Sequence, residues 1–217
     1  MNGAVLRQFR RPYLVVFGLV WAALLVVWPV LGALLDPRFW YQQASNPPRF
    51  AVLALAAYAA SGGLQLLIPY GVTRRRFMRA AAAFFGLVVL GFGAVSLAAH
   101  SLAAATAALT GVGSHPFTLS ARDALALLLV NCLVYAAYAC SGWLAGAVFY
   151  RFGARGGIAL VLPAMTPAVV ATEALVGWPD PARAGATALA LAAAPVAVGL
   201  VVGYLLGRDV AIRKVSG

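Results

Sequence analysis

Nothing constrains this chain more than its long apolar runs without a formal charge, such as Ala80 to Thr110 and Ala184 to Leu206. About 20 apolar residues are enough to cross the roughly 30 Å hydrocarbon core of a bilayer as a helix, and several runs reach that length. Composition agrees: 64% of the 217 residues are hydrophobic and 10% are charged, against roughly 25% charged in a soluble domain. The sequence therefore predicts an all-α, polytopic membrane protein of six spans. These are Pro12 to Leu35, Phe50 to Tyr70, Ala80 to Thr110, Ala124 to Tyr150, Gly157 to Trp178 and Ala184 to Leu206. They form one transmembrane domain over residues 1–217, with an amphipathic segment at 1–11, a basic loop at 71–79 and a tail at 207–217. The first run is too long for a signal-peptide core and lacks a small-residue cleavage site after it, so it reads as a retained span.

The net charge of +11 would suit nucleic acid, but the basic residues sit in short clusters between apolar runs rather than on one face with aromatics. They report topology instead, because cytoplasmic loops carry an excess of Arg and Lys. One set of alternate connections holds Arg7, Arg10, Arg11, Arg74, Arg75, Arg76, Arg79, Arg151, Arg155, Arg208, Arg213 and Lys214; the other holds only Arg38, Arg49, Arg122 and Arg183. Both termini are thus expected in the cytoplasm of a cell-membrane protein. Trp28, Trp40, Tyr41 and Trp178 then fall near the outer interface, where amphipathic rings are favoured.

Small residues four apart let helices approach closely. Gly142 and Gly146 in the fourth span and Gly199, Gly203 and Gly207 in the sixth have this spacing, for packing inside the bundle or against a second subunit. Pro163 and Pro167 in the fifth span and Pro195 in the sixth each remove a helical hydrogen bond. The pair at 163 and 167 predicts a kinked or broken span, as found at some transport sites. Glu173, near the outer end of that span, is the one strong ionisable candidate at membrane depth. It is assigned with Pro163 and Pro167 to a pathway or gate, the alternative being that it reaches interfacial water beside Trp178 and Pro179.

Several chemistries are disfavoured. Cys132 and Cys140 stand eight residues apart on one helix, about 12 Å along its axis, which rules out a mutual disulfide. Cys140-Ser141-Gly142 resembles part of an intramembrane serine protease site, but the glycine two residues before the serine is replaced by Ala139 and both histidines lie upstream. His100 and His115, at or beyond the outer end of the third span, read as solvated loop histidines without ligand partners. No G-x-x-x-x-G-K-[ST] occurs, so the chain is not expected to be an enzyme by itself or to hydrolyse ATP.

The cytoplasmic connections carry more. Gly71-Val72-Thr73-Arg74-Arg75-Arg76-Phe77-Met78-Arg79 sets apolar residues among arginines, and Thr73 is placed to cap a short helix after Gly71. Three arginines in a first turn oppose the helix dipole, which favours an anionic lipid surface or an acidic protein opposite them. The fourth span is followed by Phe149-Tyr150-Arg151-Phe152-Gly153-Ala154-Arg155-Gly156-Gly157.

On these two segments the chain resembles the permease subunits of type-2 ABC exporters, particularly small actinobacterial-like ones of six spans. The resemblance implies that residues 71–79 form a coupling helix docking into a cleft of a separate ATP-binding subunit. Gly71, Val72, Thr73, Arg74, Arg75, Arg76, Phe77 and Met78 would then make the contact. Arg7, Arg10, Arg11, Arg151, Phe152 and Arg155 would add a secondary cytoplasmic interface. It further implies a second permease subunit, the same or different, and no cofactor or metal on this chain, with ATP and Mg on the partner. A lipophilic drug, antibiotic or lipid would move by alternating access. The short outer connection Pro179 to Arg183 departs from many relatives, which place re-entrant helices there. Two other readings stay open: a substrate-capture subunit of an energy-coupling-factor importer, and a non-transporting membrane scaffold.

Overall fold

The computed structural model describes residues 46–63, 73–110, 120–175 and 185–208, with Gly18 besides. The first expected span apart from Gly18, the positions Arg7, Arg10, Arg11, Gly71, Val72 and His115, and the tail beyond Arg208 lie outside the described residues. The described residues form four helical elements: α1 (Asn46–Tyr58, widening into a π-helical turn at Ala59–Gly63), α2 (Arg74–Thr110), α3 (Ala121–Leu175) and α4 (Ala186–Arg208). Three of these, α2, α3 and α4, are long and apolar enough to cross a membrane. The protein is accordingly a helical, membrane-embedded one.

Local chemistry explains where the elements start. Pro47 and Pro48 occupy the first turn of α1, where a missing N–H costs no hydrogen bond. The Thr73 hydroxyl accepts the N–H of Arg76 at 3.4 Å, and its carbonyl accepts that of Phe77 at 2.9 Å. Thr73 thus heads a helix, but not a short one: the arginine run is the first turn of α2, which continues for 37 residues. At α3, the Ser120 hydroxyl accepts the Asp123 N–H at 3.2 Å and donates back to the Asp123 carboxylate, a reciprocal cap with an anion at the positive end of the dipole. In α1 the sequence Ala59-Ala60-Ser61-Gly62-Gly63 is rich in weak helix formers, and Ser61 Oγ donates to the Ala57 carbonyl at 2.8 Å where the helix widens.

The 55 residues of α3 would exceed 80 Å if straight, at about 1.5 Å per residue. They fold back at Gly153, whose φ of 71° and ψ of −170° only glycine adopts readily. Its limbs, residues 121–152 and 154–175, lie antiparallel. Tyr138 reaches Thr172, Ser141 reaches Ala168, and a Cβ on Gly157 would collide with the Phe149 ring. The expected break in the fifth span is therefore at Gly153. Pro163 and Pro167 leave the second limb helical throughout.

The first limb is the centre of the bundle. Between Asn131 and Tyr150 only Phe149 is exposed, the signature of a helix enclosed on every side. Paired contacts fix the direction of its neighbours. α1 runs parallel to it, Leu53 meeting Gly142 and Ala57 meeting Gly146. α2 runs antiparallel, through Phe85 with Trp143 and Phe92 with Tyr135. α4 runs parallel, through Gly199 with Cys140 and Gly203 with Trp143. α4 buries one stripe, Ala188, Ala192, Val196, Gly199, Gly203 and Gly207, and exposes Leu191, Val198, Val201 and Leu205. So much exposed apolar surface suits a lipid surround and would be a liability in water.

Candidate functional site

The alternating directions gather one end of every element together: the end of α1 at Gly63, the head of α2, the α3 turn at Gly153 and the end of α4. Direct contacts tie them. The Phe77 ring approaches Gly63 and stacks on Trp143 at 6.0 Å, and Met78 lies against Gly207. Arg75, Arg76 and Arg79 are exposed there on α2, as are Arg151, Phe152 and Arg155 around the turn, while Arg74 is half-buried. The Arg151 guanidinium sits 5.6 Å from the centre of the Phe152 ring, within cation–π range.

This geometry redistributes the roles expected from the sequence. Phe77 is only 7% exposed and is consumed by the chain's own packing, as Met78 is in part, so neither needs an outside partner to explain it. Phe152, 47% exposed, is the aromatic this end offers outward. No ion pair or other side-chain contact joins the two arginine groups among those recorded above.

The small residues serve two kinds of seam. A Cβ on Gly142 or Gly146 would collide with the carbonyl oxygen of Leu53 or Ala57, so α1 and the first limb touch backbone to backbone. Gly199 and Gly203 instead meet side chains, Cys140 and Trp143. The limbs of α3 are joined by polar groups. The Ala168 N–H donates to Ser141 Oγ at 3.0 Å, Thr172 Oγ1 donates to the Ala168 carbonyl at 2.7 Å, and the Tyr138 hydroxyl lies 3.2 Å from Thr172 Oγ1. Ala168 follows Pro167, where helical bonding is disturbed, and a neighbouring serine satisfies the backbone group in place of water. The fully buried Ser141 therefore has a structural job. Cys132 and Cys140 point at different helices, their thiols near the Val89 and Val196 carbonyls, both at 3.8 Å.

At the opposite end, Glu173 is exposed on the last turn of α3, and Pro163 is exposed too, whereas Pro167 is buried beside Gly199. The three do not converge on one cavity face. What does converge there was missed by reading the sequence. His100, expected in a solvated loop, is 8% exposed within α2, and Arg49, expected in an outer connection, is 5% exposed within α1. They join Ser96, Asn131 and Tyr135, all buried. Ser96 Oγ lies 2.7 Å from the Tyr135 hydroxyl, the His100 Nδ1 contacts the Ser96 carbonyl, and Asn131 Nδ2 donates to the Leu127 carbonyl at 2.9 Å. Arg49 lies within electrostatic reach of Tyr135. A four-residue step joins Ser96 to His100 and Asn131 to Tyr135, which is the only sequence trace of this cluster and is a weak one. Among the described residues no group of three His, Cys, Asp or Glu side chains is placed to hold a metal ion.

Comparison of the chain with protein-family models, with characterised proteins and with solved structures gives no match.

Proposed function

We propose that this chain is the membrane-spanning permease subunit of an ATP-driven exporter of the type-2 ABC kind, working by alternating access with a separate ATP-binding subunit. One observation carries the reading: the exposed arginines of the α2 head and of the α3 turn lie at the same end of the bundle, beside an outward-facing Phe152. Positive charge alone would follow from topology. An exposed aromatic held among arginines adds the apolar anchor and the charge that a protein surface recognises.

In this reading the two limbs of α3 are separate crossings. With α1, α2, α4 and the apolar run Pro12 to Leu35 of the sequence they give six, both termini lying on the arginine side, which is the cytoplasmic face of the cell membrane. ATP and Mg belong to the partner. A second permease subunit completes the path, and the apolar faces of the helices suit a lipophilic cargo.

The test is zero-length or short-arm cross-linking from Phe152→Cys and Arg79→Cys, in cells, with the captured protein sequenced. A subunit carrying a P-loop is expected from both positions. Phe77→Cys, buried against Trp143, should capture it poorly. Recovery of no P-loop protein from either exposed position, with the chain present in the membrane, overturns the proposal.

A further inference from the structure

The buried polar cluster at the end opposite the arginines has a specific chemical deficit. Ser96 and Tyr135 are 4% and 1% exposed, and their hydroxyls bond to each other. Two hydroxyls bring two hydrogens, and one bond between them uses one. Whichever oxygen donates, the other O–H has no acceptor among the described residues. A buried donor left in this condition costs about 1–3 kcal/mol, and such a group calls for an incoming acceptor.

The surroundings specify which kind. Arg49 brings a permanent cation with five N–H donors. A carbonyl can only accept, so the His100 Nδ1 facing the Ser96 carbonyl carries a hydrogen, and the ring adds no negative charge in either protonation state. The Asn131 amide nitrogen is bound to Leu127. The neighbours are apolar: Val52, Phe92 and Ala139 pack with Tyr135 in one cluster, and such walls strengthen the interaction of a cation with an anion. Asp123 and Glu173, the two acids among the described residues, sit respectively at the capped start of α3 and exposed on its last turn. The cluster is therefore rich in donors and positive charge.

From these groups we infer that Arg49, Ser96 and Tyr135, supported by His100 and Asn131, form a binding site for an oxyanion, a carboxylate or a phosphate, at the junction of α1, α2 and the first limb of α3. Ser96 stands 22 residues beyond Arg74, about 33 Å along α2, which places the site close to the far boundary of a hydrocarbon core. An amphiphile there keeps its anionic head on Arg49 and the hydroxyl pair while its chain lies among the apolar helices. The site belongs to this chain alone and stands independently of any ATPase partner.

The test uses the full chain in a nonionic detergent with radiolabelled dodecanoate, its methyl ester and inorganic phosphate as probes. Saturable dodecanoate binding is expected, with the uncharged ester at least tenfold weaker. Arg49→Gln should weaken dodecanoate tenfold or more, and Tyr135→Phe and Ser96→Ala several-fold each, while Arg79→Gln at the other end leaves it unchanged. Phosphate competing as well as dodecanoate assigns the site to a free anion; phosphate failing to compete assigns it to the head group of an amphiphile. If Arg49→Gln does not fold, the two hydroxyl variants decide. Equal binding of acid and ester, or wild-type binding by both Tyr135→Phe and Ser96→Ala, overturns the inference.

Discussion

The first limb of α3 makes two contacts that look alike in a contact map and differ in kind. Towards α1 it presents Gly142 and Gly146, and the backbones of the two helices touch at Leu53 and Ala57. Towards its own second limb it presents Tyr138 and Ser141, which bond Thr172 and the Ala168 amide. In lipid there is little hydrophobic drive for helices to associate, so contact must come from close packing or from hydrogen bonds. The glycine seam uses the first and the polar seam the second. A close-packed seam has no slack, because its neighbour is a carbonyl that cannot rotate away. A hydrogen-bonded seam has slack, because hydroxyls turn and find substitutes.

That difference predicts an order of effects, measured by unfolding the purified chain in detergent. Gly142→Leu and Gly146→Leu should be the most damaging, at or beyond the upper end of the roughly 1–3 kcal/mol typical of overpacking, since backbone rather than a flexible side chain stands in the way. Equal tolerance of leucine at Gly142 and Gly199 would break the comparison, because Gly199 meets a movable Cys140 side chain. Gly153→Ala should cost about 1–3 kcal/mol through backbone strain at its positive φ. Ser141→Ala should cost about 1 kcal/mol, in keeping with hydrogen bonds between membrane helices. A loss as large as that of Gly142→Leu would mean that the polar seam is as rigid as the glycine one. Gly86→Ala, with open space around it on α2, should be neutral or stabilising by about half a kcal/mol through helix propensity, with an unchanged or slightly raised melting temperature.

Some of this was legible in the sequence and some was not, for reasons tied to particular residues. The glycine spacing at 142 and 146 identified a helix contact, because a small side chain is a local fact. Which helix it meets, and that the pair running 199, 203 and 207 faces side chains instead, depends on residues more than fifty positions away. Thr73 was legible as a cap, yet the length of the helix behind it was misread because four arginines look like a loop. They are tolerated in helix because they lie at its exposed head. Phe77 was assigned outward for want of a visible partner, and Trp143 turned out to be that partner. His100 and Arg49 were read as solvated by their nearness to the ends of apolar runs. Both are buried, since neighbouring helices extend past them.

The sequence by itself determined that the chain is helical and membrane-embedded, because hydropathy is additive along a helix and a charge-free run of sufficient length has few alternatives in water or lipid. It also determined where charge is concentrated. Only the tertiary structure decided that α3 turns back at Gly153, that one seam is backbone on backbone and the other hydrogen-bonded, and that a cation and two hydroxyls meet between three helices. Those features are pairings across long separations. Pairing is set by which surfaces fit once the helices already exist, and no local property of a run encodes it.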